Sequence, residues 1–149
     1  MAAICQAAVL AASALLPELV ENMIQRAVLR DYLLSRPEAT EDFPFGPAVA
    51  VFKIRGRMFA TLGDYRGVDA TNLKCDLGEA QALRDIFSGV LPGYHMNKKH
   101  WNTVLLDGSV PDFEIERMAD RSYGLVVTGL RKAERQSLEL AYGEENLYR

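Results

Sequence analysis

Residues Tyr94 to Trp101, YHMNKKHW, bring a tyrosine, two histidines, two lysines and a tryptophan together within eight positions. Side chains of these types serve three kinds of chemistry: proton transfer, metal ligation, and the holding of a polyanion by cations flanked with aromatic rings. Proton transfer by His95 or His100 requires an orienting acid and a nucleophile within hydrogen-bond reach. The nearest candidates, Asp107 and Ser109, follow a strand-like run that begins at Trp101 and places them ~20 Å away when extended. No GxSxG elbow, phosphate loop or second carboxylate pair accompanies them, so the expectation is a protein that is not an enzyme. Metal ligation fares no better. His95 and His100 lie across a predicted turn, and no third ligand stands at a diagnostic spacing. No metal or other cofactor is expected.

The polyanion reading has more residues behind it. Lys98 and Lys99 fall in the turn between two strands, with Tyr94, His95, His100 and Trp101 around them. Cations in a loop neutralise phosphates, and aromatic rings stack on exposed bases. A second basic turn gathers Lys53, Arg55 and Arg57 around Gly56, with Arg66 further on. The candidate nucleic-acid-binding set is therefore Lys53, Arg55, Arg57, His95, Asn97, Lys98, Lys99 and His100. Asn97 is also suited to fixing its turn by bonding backbone groups. A plainer reading of the same stretch stands beside this one: Tyr94 and Trp101 as packing residues, with the Trp101 ring mostly buried against a helix, and the lysines simply solvated. The net charge of −3 and pI of about 5.4 exclude a strongly basic nucleic-acid binder. Any such site must be a local patch, and the affinity weak and without sequence preference.

Positioning these residues falls to elements that the periodicity outlines. Val20, Met23, Ile24, Ala27 and Val28 recur at helical spacing, and the helix they predict stops near Arg36-Pro37. EATEDFPFGPA reads as an irregular connector. Val49 to Ile54 and Met58 to Leu62 are strand-like around a turn at Gly56, and a third strand is expected at Ala70 to Cys75. Asp76 and Glu79 have capping-box spacing, so a helix begins there, buries Ala80, Leu83 and Phe87, and ends at Gly89. Val90 to Met96 reads as a short or edge strand kinked at Pro92-Gly93. Trp101 to Leu106 alternates cleanly between two faces. Ser109 to Asp112 opens a third helix with a second capping box; Ile115, Met118, Ala119, Ser122 and Val126 line its inner face, and Gly129 closes it. The tail beyond Arg131 has room for one more short helix. The expected class is α+β: a two-layer fold with an antiparallel sheet, helices mainly on one face, and the order α-βββ-α-ββ-α.

At 149 residues, with 49% hydrophobic and 25% charged side chains, the chain is long enough for one ordinary globular core. Cys5 and Cys75 fit no metal or disulfide spacing and are expected to be reduced, in a cytoplasmic protein. The start, MAAICQAAVLAASALL, carries no charged side chain. It lacks the basic region of a secretory signal and is short of the ~20 apolar residues that a membrane span needs. Residues 1–22 are read as an apolar helical extension that packs on its own domain or on a partner chain, with 23–149 as the domain proper. Met23 as the true start is a second possibility.

ATEDFPFGP, the strand pair VFKIRGRMFATL, the short NLKCD and above all PGYHMNKKHWNTVLLDGSVPD resemble the MmcQ/YjbR family. The resemblance runs from about Met23 to Arg135. It implies a small α+β domain with the element order given above and a DNA-binding role built on a double-wing arrangement. A protein-binding adaptor or chaperone-like module without catalytic activity is the alternative. Its contact surface would come from Ile4 to Leu16 and the Phe43-Pro44-Phe45 corner, although that corner is expected to close the open end of the sheet as a lid. Self-association through residues 1–22 belongs to the same alternative. No membrane contact is expected.

Overall fold

Residues 25–149 are described by the computed structural model; the expected extension over residues 1–22 lies outside them. Residues 25–34 are helical (α1) and precede six strands: β1 (Thr40–Asp42), β2 (Ala50–Ile54), β3 (Arg57–Tyr65), β4 (Val68–Lys74), β5 (Val90–Pro92) and β6 (Trp101–Leu105). Helix α2 (Leu77–Ile86) separates β4 from β5, and α3 (Asp112–Thr128), α4 (Lys132–Tyr142) and α5 (Glu144–Leu147) follow β6. The strands form one sheet in the order β1-β2-β3-β4-β6-β5, and every neighbouring pair is antiparallel. This is the expected α+β class.

The helices supply one face of the core. Leu29 and Leu33 of α1, Leu83 of α2, and Ile115, Met118, Ala119 and Tyr123 of α3 pack on Phe52, Ile54, Leu62, Leu73, Val104 and Leu106 in a single cluster. Tyr123 meets Phe59 edge to face, with ring centroids 5.2 Å apart, and its hydroxyl donates to the Pro37 carbonyl. Beside it the buried Arg36 lies over the Tyr123 ring at 4.7 Å, pairs with Asp120 at 3.4 Å, and donates to the Asn146 carbonyl. Tyr32 donates to the other oxygen of Asp120. One cation thus ties α1, α3 and the C-terminal segment together.

Between Phe52 and Lys53 the β2–β3 register shifts, which leaves Phe59 as an extra residue on β3. Beside this bulge the β3–β4 ladder stops at Ala60 and Leu73, so the Phe59 carbonyl and the Lys74 amide must find partners elsewhere. Ser122 of α3, fully buried, closes the gap. Its hydroxyl accepts from the Lys74 amide at 2.8 Å and donates to the Phe59 carbonyl at 2.5 Å.

Several expectations change. The connector after α1 contains a strand, β1, whose register against β2 pairs Thr40 with Lys53; its polar TED sequence carries no hydrophobic alternation. The tail forms two helices, not one. Neither capping box forms: Asp76 and Pro111 occupy the caps without side-chain bonds. Arg121 draws Asp76 away at 2.6 Å and, with Arg117, takes Glu79. Proline ends β5 at Pro92, well before Met96. The Trp101 ring is only half-buried and points away from the helices, because Asn102 and Val104 of β6, and Leu106 just beyond it, are the residues that face them. Phe45 is 76% exposed, so the Phe43-Pro44-Phe45 corner does not act as a lid.

Candidate functional site

Two hairpin tips share a construction. Arg55-Gly56 joins β2 to β3, and Arg66-Gly67 joins β3 to β4, each as a two-residue turn with both residues at positive φ: 50° and 79° in the first, 50° and 85° in the second. That is the type I′ geometry, which matches strand twist but favours Asn, Asp or Gly at the first position. Arginine sits there at a steric cost of roughly 1–2 kcal/mol.

The strand directions place Arg55-Gly56 and the 93–100 loop at the same end of the sheet. Ile54 and Arg57 flank the first tip, while Lys74 pairs with Trp101 and Pro92 with Asn102 at that end. Three strand spacings separate the two loops, about 14 Å, and the sheet's twist fans them apart. Arg66-Gly67 lies at the opposite end.

The 93–100 loop is two consecutive turns. The Met96 amide donates to the Gly93 carbonyl, and the His100 and Trp101 amides to that of Asn97. Asn97 holds the second turn as expected, its side-chain oxygen accepting from the Lys99 amide at 3.0 Å. Gly93 is required by close approach, since a Cβ there would sit 2.9 Å from the Trp101 carbonyl. Arg84 of α2 bonds the Lys98 carbonyl and, at 2.8 Å, the buried Asn102 side chain, so the loop is pinned to the helix layer.

The candidate cations divide into two groups. Lys53 pairs with Asp42 at 3.1 Å, which holds the Asp42 carboxyl below the usual carboxylate range. Arg55 forms a two-pronged pair with Glu38, at 2.9 and 3.2 Å, and its guanidinium is held further up by that bond. Both charges are already matched. Among the described residues, Arg57, Lys98 and Lys99 have no carboxylate partner. All three are exposed; Lys98 donates only to the Gly93 carbonyl, at 3.0 Å. His95 and His100 are exposed on the same loop.

No triad assembles around these histidines. His100 precedes β6, whereas Asp107 and Ser109 lie beyond its far end, where the Ser109 amide donates to Asp107 at 3.0 Å and the bonds from Ser109 hold the Asp107 carboxyl low. The buried Cys75 thiol is pushed up to about 11, chiefly by burial, which suits a packing residue rather than a nucleophile. Among the described residues, no group of three or more His, Cys, Asp or Glu could hold a metal ion.

A feature missed in the sequence lies on the sheet face opposite the helices. Thr61, Asn72 and Thr103 are cross-strand neighbours in one row. Thr61 Oγ1 accepts from the Asn72 amide, Thr103 donates to the Asn72 side chain at 2.5 Å, and the Tyr94 amide donates to Thr103 at 2.8 Å. This ladder draws the 93–100 loop back over that face. Tyr94 meets Tyr65 edge to face at 5.1 Å, the His95 ring lies 4.0 Å from that of Tyr94, and Arg66 sits over Tyr65 at 5.4 Å. Alternation of Ala70, Asn72 and Lys74 on β4 was the available signal for the face. No local pattern joins Tyr65 to Tyr94.

The YjbR family model matches residues 34–125, a span that holds all six strands and α2. The chain belongs to the YjbR family. It is 34% identical to YjbR of Escherichia coli K12 over 110 residues, which covers 74% of this chain and 93% of that protein. It is 38% identical to YbdF of Escherichia coli O157:H7 over 94 residues, 63% of this chain and 77% of YbdF. Among solved structures, a Deinococcus radiodurans protein with the DUF419 domain superposes with a TM-score of 0.68 at 38% identity, covering 74% of this chain and 84% of that one. A Pseudomonas syringae protein gives 0.59 at 32% identity, over 64% of this chain and 92% of its own. The match agrees with the family resemblance read from the sequence. Among the described residues, no helix is long and apolar enough to cross a membrane.

Proposed function

We propose that this protein binds nucleic acid, weakly and without sequence preference, as a cytoplasmic, non-catalytic module whose phosphate contacts are Arg57, Lys98 and Lys99. One observation carries the reading. Two basic loops leave the same end of the sheet, and of their cations these three have no carboxylate partner among the described residues. Lys53 and Arg55 drop from the contact set, because Asp42 and Glu38 already neutralise them. Three phosphate contacts give a slope of log affinity against log salt of about −2 to −3 for a DNA duplex. Fluorescence anisotropy of a labelled duplex across a salt series tests this. Arg57→Ala flattens the slope by about one, whereas Arg55→Ala leaves it unchanged. A slope near zero in the unaltered chain, or no binding at low salt, refutes the reading.

The exposed Phe43 and Phe45 favour a second reading, docking of a protein partner. Phe45→Ser then abolishes concentration-dependent association seen by sedimentation. Sedimentation identical in both chains and independent of concentration counts against a self-docking role.

A further inference from the structure

Arg66 occupies a strained position that its own fold does not explain. Arg55, at the equivalent place in the other hairpin, is held by a two-pronged bond to Glu38. Among the described residues, Arg66 has no such carboxylate; it is exposed and rests only over the Tyr65 ring. Asparagine would suit the left-handed backbone better. Strain retained without a folding partner points to a ligand.

The surroundings specify which ligand. Tyr94 is 42% exposed, packed by Tyr65 on one side and His95 on another. Such a ring is fixed by its neighbours yet still open to stacking. The face it overhangs carries no carboxylate on β3, β4 or β6. The acids of that region, Asp64 and Asp69, alternate to the helix side, where Asp69 holds Arg26 at 2.6 Å. Lys74 and Trp101, paired across β4 and β6, stand half-exposed on the same face towards the Lys98–Lys99 loop. From there to the Arg66 turn the face runs about 20 Å, six residue rows at strand rise.

We infer that the nucleic acid held is single-stranded, with an unpaired base stacked on Tyr94 and its backbone running from the Lys98–Lys99 loop towards Arg66. The inference rests on the phosphate-binding reading above and narrows its ligand. In a duplex the base faces are already stacked and offer nothing to a ring. In a single strand each base presents a face, and the part of the sheet face made by β3, β4 and β6, without carboxylates, avoids repelling the phosphates.

The test uses the full chain and two fluorescein-labelled probes, a twelve-nucleotide oligothymidine and a duplex of the same length, followed by anisotropy at low salt. The single strand is expected to bind about tenfold more tightly. Tyr94→Ala weakens it about 5- to 150-fold, the range for losing one stacked base, while Tyr94→Phe retains it and duplex binding stays within twofold. Arg66→Asn also weakens the single strand, although its melting temperature does not fall, since Asn accepts the turn. If Tyr94→Ala and Arg66→Asn leave oligothymidine affinity within twofold while Lys98→Ala with Lys99→Ala weakens both probes, the stacking inference is overturned and the phosphate reading stands. If neither probe binds the unaltered chain, both fail.

Discussion

Replacing Ser122 with alanine removes one oxygen atom from a fully buried site and changes almost nothing else. Ala has higher helix propensity than Ser, so the helix itself does not suffer. The loss is confined to the bulge, where the hydroxyl accepts from the Lys74 amide and donates to the Phe59 carbonyl. Neither backbone group has a strand partner to fall back on, because the β3–β4 ladder stops one pair short of them, at Ala60 and Leu73. A buried polar group left unbonded costs about 1–3 kcal/mol. Two such groups, partly relieved by local movement, give about 2–4 kcal/mol. With a urea m-value on the order of 2 kcal/mol per molar, the midpoint falls by about 1–2 M. Trp101 fluorescence and far-ultraviolet circular dichroism should report the same shift. The exposed Ser88→Ala is the control and should move stability by under about 0.5 kcal/mol. A Ser122→Ala midpoint indistinguishable from that control would refute the claim that this hydroxyl closes the bulge.

Thr71 should behave in the opposite sense. Its buried hydroxyl has no protein partner on the helix side of β4, between Leu62 and Val104, so Thr71→Val should stabilise by about 1 kcal/mol, read as a raised urea midpoint. Trp101→Ala should cost only about 1–2 kcal/mol by the same denaturation, because the ring is half-buried on the face away from the helices; a loss above about 4 kcal/mol would place it in the core. Alkaline pH should unfold the protein. Burial, then the bond to Asp120, pushes the Tyr32 phenol up to about 12, and burial does the same for Tyr123 and, with the bond to Glu139, for Tyr148. These groups ionise more readily in the unfolded chain. Their contribution is therefore complete below about pH 10 and lost as pH rises towards 12. Urea midpoints at pH 8, 10 and 11 should decline across the last two, and less steeply in Tyr32→Phe.

Elements whose signals are local were legible in the amino-acid sequence. Hydrophobic period marked β2, β6 and α3, and glycine marked the Arg55-Gly56 turn; Pro92 read as a kink within a strand reaching Met96, whereas it ends β5. The run through Lys98 and Lys99 carried the family. Asn97 as a turn-fixing residue was also legible, because its bond spans two positions. Signals that depend on distant partners were not. β1 is polar, and pairing with β2 alone makes it a strand. Asp76 and Glu79 had capping spacing, yet Arg121, 45 and 42 positions away, outbids the helix end. Trp101 alternates correctly, but which face meets the helices depends on how α2 and α3 lie on the sheet. The same holds for the candidate site. Basic residues in turns were visible as a set, whereas their division into matched and unmatched charges required Glu38 and Asp42 to fold back onto Arg55 and Lys53. The contact between Tyr65 and Tyr94 needed one loop to fold back across strands that lie between it and the other. Periodicity records the face a residue takes within its own element; only packing decides what stands opposite it.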